Sequence, residues 1–216
     1  MILFLDSERI VMKFGTNSLT KGGRLDYGVI KKIAATMNLL YTLGKRPLIV
    51  TSGAVAAGME LNELKEKPSE VKQLQLLSGE GARLLWELYA QAFARYDFGT
   101  LYIPITPHNI ETEEERENIR KIVEGGWKNK KITIWNTNDA LTNEQLAKRN
   151  GGFYDNDPLS VELAKIIKAD LLMFFTDKGN MGTGGRSSKS KAIEEARKSE
   201  IKVEVKSINY LETLLA

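Results

Sequence analysis

The sequence predicts an α/β fold in which an open, mainly parallel sheet is sandwiched between helices. Short apolar runs alternate along the chain with longer segments whose apolar residues recur at helical spacing. Such alternation is typical of strand–helix–strand units, whose right-handed crossovers place parallel strands side by side. Hydrophobic residues make up 42% and charged residues 27% of the 216 residues, which is typical of a globular protein with a sizeable core. We therefore expect a single domain over residues 1–216.

The predicted strands are short apolar runs, expected at residues 10–14, 47–50, 100–105, 132–135, 171–175 and 201–205. Polar residues and glycine directly follow four of them, in the segments 15–17, 51–53, 136–139 and 176–177. In open α/β sheets, ligands bind beyond the carboxyl ends of the strands. The four polar strand ends therefore predict one shared cleft.

The first long helix is predicted at residues 26–43. Asp26 is placed to cap it, because an Asp side chain accepts hydrogen bonds from the free amides of a first helical turn. Gly44 is placed to end it, because glycine readily adopts the left-handed conformation that follows many helices. A hairpin-like or irregular stretch is expected around residues 150–152. Further helices are predicted at about residues 69–96, 113–123 with Thr112 as cap, from Asp157-Pro158 onward, 187–198 and 209–215.

Composition narrows the class of protein. The chain has no cysteine, which excludes a disulfide framework, a thiolate metal site and a cysteine nucleophile. No apolar run approaches the roughly 18 residues that cross a bilayer, and there is no signal-peptide pattern. A cytoplasmic location without a membrane partner is therefore expected. The net charge is +3, but basic residues are interspersed with acids, as in residues 63–67, so no nucleic-acid partner is expected.

Lys13 near the end of the first strand, followed by Gly15 and Thr16, suits phosphate binding. Glycine lets backbone amides approach phosphate oxygens, and a lysine supplies a point charge. The segment is not a Walker A motif, because no Gly-x-x-x-x-Gly-Lys-Ser/Thr run exists in the chain. Taken alone, it is equally compatible with an ordinary strand-to-turn transition. A second glycine-rich segment, residues 182–185, precedes a helix that carries Lys189, and this also favours an anion site.

Two further patterns are compatible with a ligand site. The small residues at 51–58 would let the start of a helix approach a ligand, although they also suit tight packing of a helix on the sheet. The acid and amide clusters at 136–139 and 155–157 can orient lysines, bind an amino group or hold magnesium. Asp and Asn are also the usual residues of caps and turns. Each pattern alone therefore leaves both interpretations open.

The order of these motifs resembles the kinase domain of the glutamate 5-kinase family. The motifs are Lys-x-Gly-Thr, Thr-Ser-Gly-Ala-x-Ala-Ala-Gly, Asn-x-Asn-Asp-Ala, Asp-Asn-Asp-x-Leu-Ser, Thr-Asp and Gly-Thr-Gly-Gly-x-Ser-x-Lys, and they extend from about residue 10 to 205. The resemblance implies an amino acid kinase fold of the acetylglutamate kinase type. It covers the kinase domain alone, without the carboxy-terminal PUA-type domain that many members carry. The implied reaction transfers the γ-phosphoryl group of ATP to the side-chain carboxylate of L-glutamate, the first step of proline biosynthesis.

The resemblance also implies roles for individual residues. Lys13 and Lys189 match the two lysines that contact phosphate, and Asp157 matches the acid that holds both in place. The residues that match glutamate-binding positions are Ser52, Gly53, Asn136, Asp139 and Asn156. The residues that match nucleotide-binding positions, besides the two lysines, are Gly15, Thr16, Thr176, Asp177, Thr183, Gly184 and Gly185.

The implied cofactors are ATP and magnesium, which would bridge the nucleotide phosphates rather than occupy a protein metal site. A carboxylate acceptor needs no general base, because it is already ionised at neutral pH; His108 is accordingly expected in a loop or at the surface. Family members form dimers or tetramers, so a homo-oligomer is expected.

Thr137 stands where the family usually has Glu, which removes one negative charge from the implied acceptor pocket. Another amino acid kinase with a different acceptor, or a non-catalytic ligand-binding relative, remains an alternative.

Overall fold

The structure, a computed structural model, describes residues 4, 6–142, 155–177 and 188–215. Eight strands are found in this part of the chain: β1 (Arg9–Phe14), β2 (Thr20–Lys21), β3 (Arg24–Leu25), β4 (Arg46–Thr51), β5 (Gly99–Ile105), β6 (Lys131–Thr137), β7 (Leu171–Thr176) and β8 (Lys202–Ser207). Its helices are α1 (Thr16–Leu19), α2 (Tyr27–Thr42), α3 (Ala54–Leu61), α4 (Val71–Ala94), α5 (Glu113–Lys128), α6 (Asn156–Ile166), α7 (Ser188–Lys198) and α8 (Tyr210–Leu215), with a 3₁₀ helix at Pro107–Ile110.

Six strands form one sheet in the order β5-β6-β4-β1-β7-β8, and every pairing in it is parallel. Helices cover both faces of this sheet. The predicted fold class is therefore confirmed. None of the helices in the described ranges is long and apolar enough to cross a bilayer.

The two faces of the sheet pack into separate apolar clusters. One cluster joins Met12 and Phe14 of β1 to residues of α2 and α4. The other joins Val11 of β1 to residues of α5, α6 and α7. Because side chains alternate along a strand, Lys13 points to the same face as Val11. A lysine is thus directed under helix α6, where its charge requires a partner.

Capping residues set several helix ends as the sequence predicts. The Asp26 carboxylate accepts hydrogen bonds from the amides of Gly28 and Val29, at 2.9 and 3.2 Å. Gly44 follows α2 with a φ of +74°, a conformation that glycine adopts without steric cost. Helix α5 extends five residues beyond its predicted end at 123, to Lys128. The expected irregular stretch at 150–152 and the glycine-rich segment 182–185 lie outside the described residues.

The antiparallel hairpin of β2 and β3 was not predicted. Its turn consists of Gly22 and Gly23, whose φ angles are +60° and +81°. Two consecutive positive φ angles characterise the tightest hairpin turns, and two adjacent glycines are a known signal for them. The strands are only two residues long, so the alternation that normally reveals a strand is absent.

Candidate active site

The four strands with polar carboxyl ends, β6, β4, β1 and β7, are consecutive neighbours in the sheet. Parallel strands end at the same edge, so their polar ends lie together there. Gly15 and Ser52 follow β1 and β4, and Thr176 ends β7. Strand β6 runs two residues beyond its predicted end at 135, so Asn136 is its penultimate residue. The edge is closed by the starts of three helices, α1, α3 and α6.

Lys13 and Asp157 form an ion pair at the base of this edge. Lys13 is 4% exposed and Asp157 is 6% exposed, so both charges are removed from water. Asp157 lies in the first turn of α6, and the Ser160 hydroxyl donates a 2.6 Å hydrogen bond to its backbone carbonyl. Two buried charges are tolerated only when they are paired, and removing one partner leaves the other uncompensated. The pair fixes the ammonium group of Lys13 at the floor of the cleft.

Gly15 lies next to the ammonium group of Lys13. A Cβ atom at position 15 would lie 3.6 Å from Lys13 Nζ, so the glycine leaves the space directly above the charge open. The turn after Gly15 is anchored to β7 by Ser18, whose hydroxyl donates a 2.8 Å hydrogen bond to the Phe175 carbonyl oxygen near the end of that strand. A phosphate oxygen could therefore approach both the lysine and the backbone of this turn.

Lys189, in the first turn of α7, is half-buried and belongs to the same group of charges. Burial lowers the pKa of Lys189, and the positive charge of Lys13 acts in the same direction. The carboxylates of Asp157, Asp155 and Asp177 partly offset this effect. Two lysines with a carboxylate between them can neutralise a phosphoryl group while their mutual repulsion stays limited.

A cleft of about 310 Å³ opens beside this charged floor. It is bounded by the hairpin β2–β3, the start of α3, the end of β6 and the start of α6. Its lining residues are Thr16, Thr20, Gly23, Ser52, Gly53, Ala54, Val55, Ala56, Met59, Lys67, Thr137, Asp139, Asp155 and Asn156.

Asn156 organises the inner wall of the cleft. Its side-chain amide nitrogen donates to Asn136 Oδ1 at 2.8 Å and to Ser52 Oγ at 3.3 Å. Its side-chain oxygen accepts a 3.0 Å hydrogen bond from the Thr137 amide. Asn136 is only 1% exposed and donates to the Tyr102 hydroxyl at 3.2 Å. Asn136 thus lies behind Asn156 and orients it, whereas Ser52 and Asn156 line the cleft itself.

Two carboxylates, Asp139 and Asp155, also line the cleft. Burial raises the pKa of Asp139, and the nearby negative charge of Asp155 raises it further. The positive charge of Lys67 acts in the opposite direction and lowers the pKa of Asp139. An ionised pair of acids in a partly buried cleft is costly unless a positive group binds between them, so the wall suits a cation such as an ammonium group.

The hairpin is tied to the cleft by Glu60 of α3. One carboxylate oxygen accepts a 2.9 Å hydrogen bond from the Leu25 amide, and the other accepts a 2.5 Å hydrogen bond from the Tyr27 hydroxyl. The hydrogen bond to Glu60, together with burial, raises the pKa of Tyr27. Since Thr20 and Gly23 of the hairpin line the cleft, Glu60 sets the position of one of its walls.

The structure brings most of the predicted site residues to one edge of the sheet. Lys13, Asp157 and Lys189 form the floor, and the predicted acceptor residues other than Asn136 line the cleft. Thr176 ends β7, and the Asp177 carbonyl oxygen accepts a 3.3 Å hydrogen bond from the hydroxyl of Ser207, the last residue of β8. The predicted residues Thr183, Gly184 and Gly185 lie outside the described residues.

Sequence reasoning missed the hairpin residues, Glu60 and Lys67 as parts of this site. The Gly22-Gly23 pair was a usable signal for the hairpin. Glu60 and Lys67 stand among many acids and lysines on a helix end and a connecting segment. No local pattern distinguishes them, because their contacts are made to elements distant in sequence.

Fold and site together define an α/β protein with a cleft suited to anions at the carboxyl edge of a parallel sheet. The chain belongs to the Amino acid kinase family, whose sequence pattern matches residues 8–209.

Curated relatives include the glutamate 5-kinases of Streptococcus agalactiae serotype III (strain NEM316) and of Symbiobacterium thermophilum. The first is 31% identical over 175 residues, which are 81% of this chain and 65% of the relative. The second is 33% identical over 171 residues, which are 79% of this chain and 63% of the relative. The chain thus spans less than two thirds of the length of these relatives.

Two solved structures share the fold. Carbamate kinase from Giardia lamblia bound to AMP-PNP matches with a TM-score of 0.64 at 13% identity, over 97% of this chain and 95% of that chain. Aspartate kinase from Synechocystis matches with a TM-score of 0.57 at 18% identity, over 92% of this chain and 38% of that chain. At these identities the likeness concerns the fold.

Proposed function

We propose that this chain catalyses ATP-dependent phosphorylation of the side-chain carboxylate of L-glutamate. The products are L-glutamyl 5-phosphate and ADP, as in the first step of proline biosynthesis. The proposal is carried by one observation: the buried ion pair of Lys13 and Asp157 lies beside a cleft that is lined by acids and an amide. The glutamate 5-kinase relatives support this choice of acceptor.

The proposed step needs positioning and charge neutralisation. A carboxylate oxygen of the acceptor attacks the γ-phosphorus of ATP, and an O–P bond forms. The bond between the γ-phosphorus and the β–γ bridging oxygen breaks, and ADP leaves with that electron pair. No proton is transferred, because the acceptor is already ionised at neutral pH. Lys13 and Lys189 would neutralise the charge on the transferred phosphoryl group and the leaving oxygen.

The walls of the cleft would hold the acceptor. Ser52 and Asn156 offer a hydroxyl and an amide to the reacting carboxylate, and the start of α3 behind Gly53 offers free backbone amides. Asp139 and Asp155 suit the α-ammonium group. Held in this way, the carboxylate would face the lysine floor, and such positioning is the main requirement of phosphoryl transfer.

Magnesium is implied because kinases bind their nucleotide as a magnesium complex. Among the described residues, no group of three or more carboxylate or imidazole side chains is placed to hold a metal ion. The ion would take most of its ligands from nucleotide phosphates and water, which is a usual mode of magnesium binding. A cytoplasmic location and a homo-oligomer remain predictions.

The purified protein, with magnesium and ATP, should release ADP only when L-glutamate is present. A coupled assay for ADP measures this, with L-aspartate, acetate and N-acetyl-L-glutamate as competing acceptors. The Asp157→Asn variant serves as the inactive control, because it leaves the buried charge of Lys13 unpaired. Faster ADP release with another acceptor would assign the cleft to a different amino acid kinase reaction. ADP release with none of them, from folded protein that still binds ATP, would favour a non-catalytic relative.

The Glu60→Ala variant should raise KM for the acceptor about tenfold, since it removes two hydrogen bonds to a carboxylate that hold β3 of the hairpin and the start of α2 beside the cleft. The change in kcat should be less than about threefold, because Glu60 contacts neither the lysines nor Asp157. Tyr27→Phe removes one of the two contacts and should give a smaller rise. Glu66→Gln, a change at an exposed acid in the next segment, is the matched control. An equal loss in kcat and affinity would contradict a role confined to the hairpin.

A further inference from the structure

We propose that Lys67 binds the α-carboxylate of the acceptor, so that the cleft selects an acidic α-amino acid by its three charges. The inference rests on the proposed function and deepens it. It adds a specificity-determining residue that neither the sequence motifs nor the strand ends indicated.

Lys67 lies in the segment between α3 and α4, and its side chain is exposed at the mouth of the cleft. It is the only lysine or arginine among the described residues that line the cleft. The same lining contains two carboxylates, Asp139 and Asp155. A single cation beside two acids gives the outer cleft both signs of charge.

Charges of both signs lie in and beside the cleft. The cations Lys13 and Lys189 belong to the charged floor beside it, where Lys13 pairs with Asp157. The lining of the cleft itself carries the two acids Asp139 and Asp155 and the one cation Lys67. A ligand in the cleft therefore meets cations at the floor, two acids in the lining and a further cation at Lys67.

An acidic α-amino acid carries three charges complementary to these groups. Its side-chain carboxylate would lie on the lysine floor, its α-ammonium group between the two acids, and its α-carboxylate beside Lys67. Without Lys67, the α-carboxylate would lie near the two acids with no cation to offset their repulsion. A lysine can serve here because its ammonium group is a point charge on a flexible stem.

The Lys67→Gln variant should raise KM for L-glutamate about tenfold and change kcat less than twofold, since it removes one charge-assisted hydrogen bond distant from the reacting atoms. Lys67→Arg should stay within about threefold of the wild type, because it retains the positive charge. Lys65→Gln removes an exposed lysine from the same segment that does not line the cleft, and it should leave KM unchanged. An unchanged KM in Lys67→Gln, or an equal rise in Lys65→Gln, overturns the proposal.

A substrate analogue tests which group of the substrate Lys67 binds. 4-Aminobutyrate is L-glutamate without its α-carboxylate, so its inhibition constant against L-glutamate should be the same in the wild type and in Lys67→Gln. A loss for 4-aminobutyrate equal to that for L-glutamate would show that Lys67 acts on another group and overturns the proposal. These outcomes differ from failure of the proposed function, in which the wild type itself would show no glutamate-dependent ADP release.

Discussion

The Lys189→Ala variant should lose about a thousandfold in kcat, while KM for L-glutamate changes less than about threefold. Lys189 belongs to the charged floor with Lys13 and Asp157, and it is not among the residues that line the cleft. The variant would remove one of the two lysines that stabilise the charge developing on the transferred phosphoryl group. Cationic side chains of this kind contribute mainly in the transition state. Steady-state kinetics with varied L-glutamate measures both quantities.

The control for this variant is Lys191→Ala, two residues further along α7, where the side chain is exposed. It should keep wild-type kcat. A second readout is the pH profile of kcat/KM for ATP, which reports groups of the free enzyme. Burial lowers the pKa of Lys189, so its proton is lost at a lower pH than from an ordinary lysine. The value of kcat/KM for ATP should therefore fall on the alkaline side of the profile as Lys189 loses its proton. A Lys189→Ala variant with normal kcat would contradict the assignment.

The Gly81→Ala variant should lose about 3 kcal/mol of folding free energy, because α3 and α4 pack backbone against backbone at this glycine. A Cβ atom at position 81 would lie 2.0 Å from the Ala54 carbonyl oxygen and 2.2 Å from the Gly58 amide nitrogen. Neither atom is a flexible side-chain end, so the two helices must move apart. For a chain of this size, the midpoint of thermal unfolding should fall by about 6–12 °C.

The matched control for Gly81 lies on the same helix. Gly79 is exposed, and a Cβ atom there would make only an ordinary 3.7 Å contact with Ala140 Cβ. Gly79→Ala should therefore be neutral or stabilise the protein by up to about 1 kcal/mol through helix propensity. Thermal unfolding followed by circular dichroism compares the two variants. Equal midpoints for both would contradict the close approach of the helices.

The packing at Gly81 also supports the site. Ala54 begins α3, and the free amides of that first turn border the cleft next to Ser52 and Gly53. The sequence interpretation of the small residues at 51–58 left two alternatives, a ligand site or tight packing. The structure places the start of this segment at the cleft and its end, Gly58, against Leu77 of α4. Tight packing is therefore confirmed at Gly58, whereas a ligand site at the start of the helix stays a prediction.

Much of the fold could be predicted because its signals are local. An apolar run of strand length, a capping Asp26 and a Gly44 with positive φ each depend on neighbours a few residues away. The parallel arrangement followed from the alternation of strands and helices. The two-residue strands of the hairpin gave no such periodicity, and segment 51–58 gave competing signals.

The sequence by itself determined which residues end the strands at the cleft, because strand ends and helix starts are set by short-range pattern. It supplied Lys13, Asp157 and Lys189 as candidates through their order in family motifs. The family motifs implied that Asp157 holds Lys13, and the structure shows this ion pair. Only the tertiary structure decided that Asn136 lies behind Asn156 and that Lys67 borders the cleft. These relations join segments far apart in the chain, and packing of the helices on the sheet alone brings them within reach of one another.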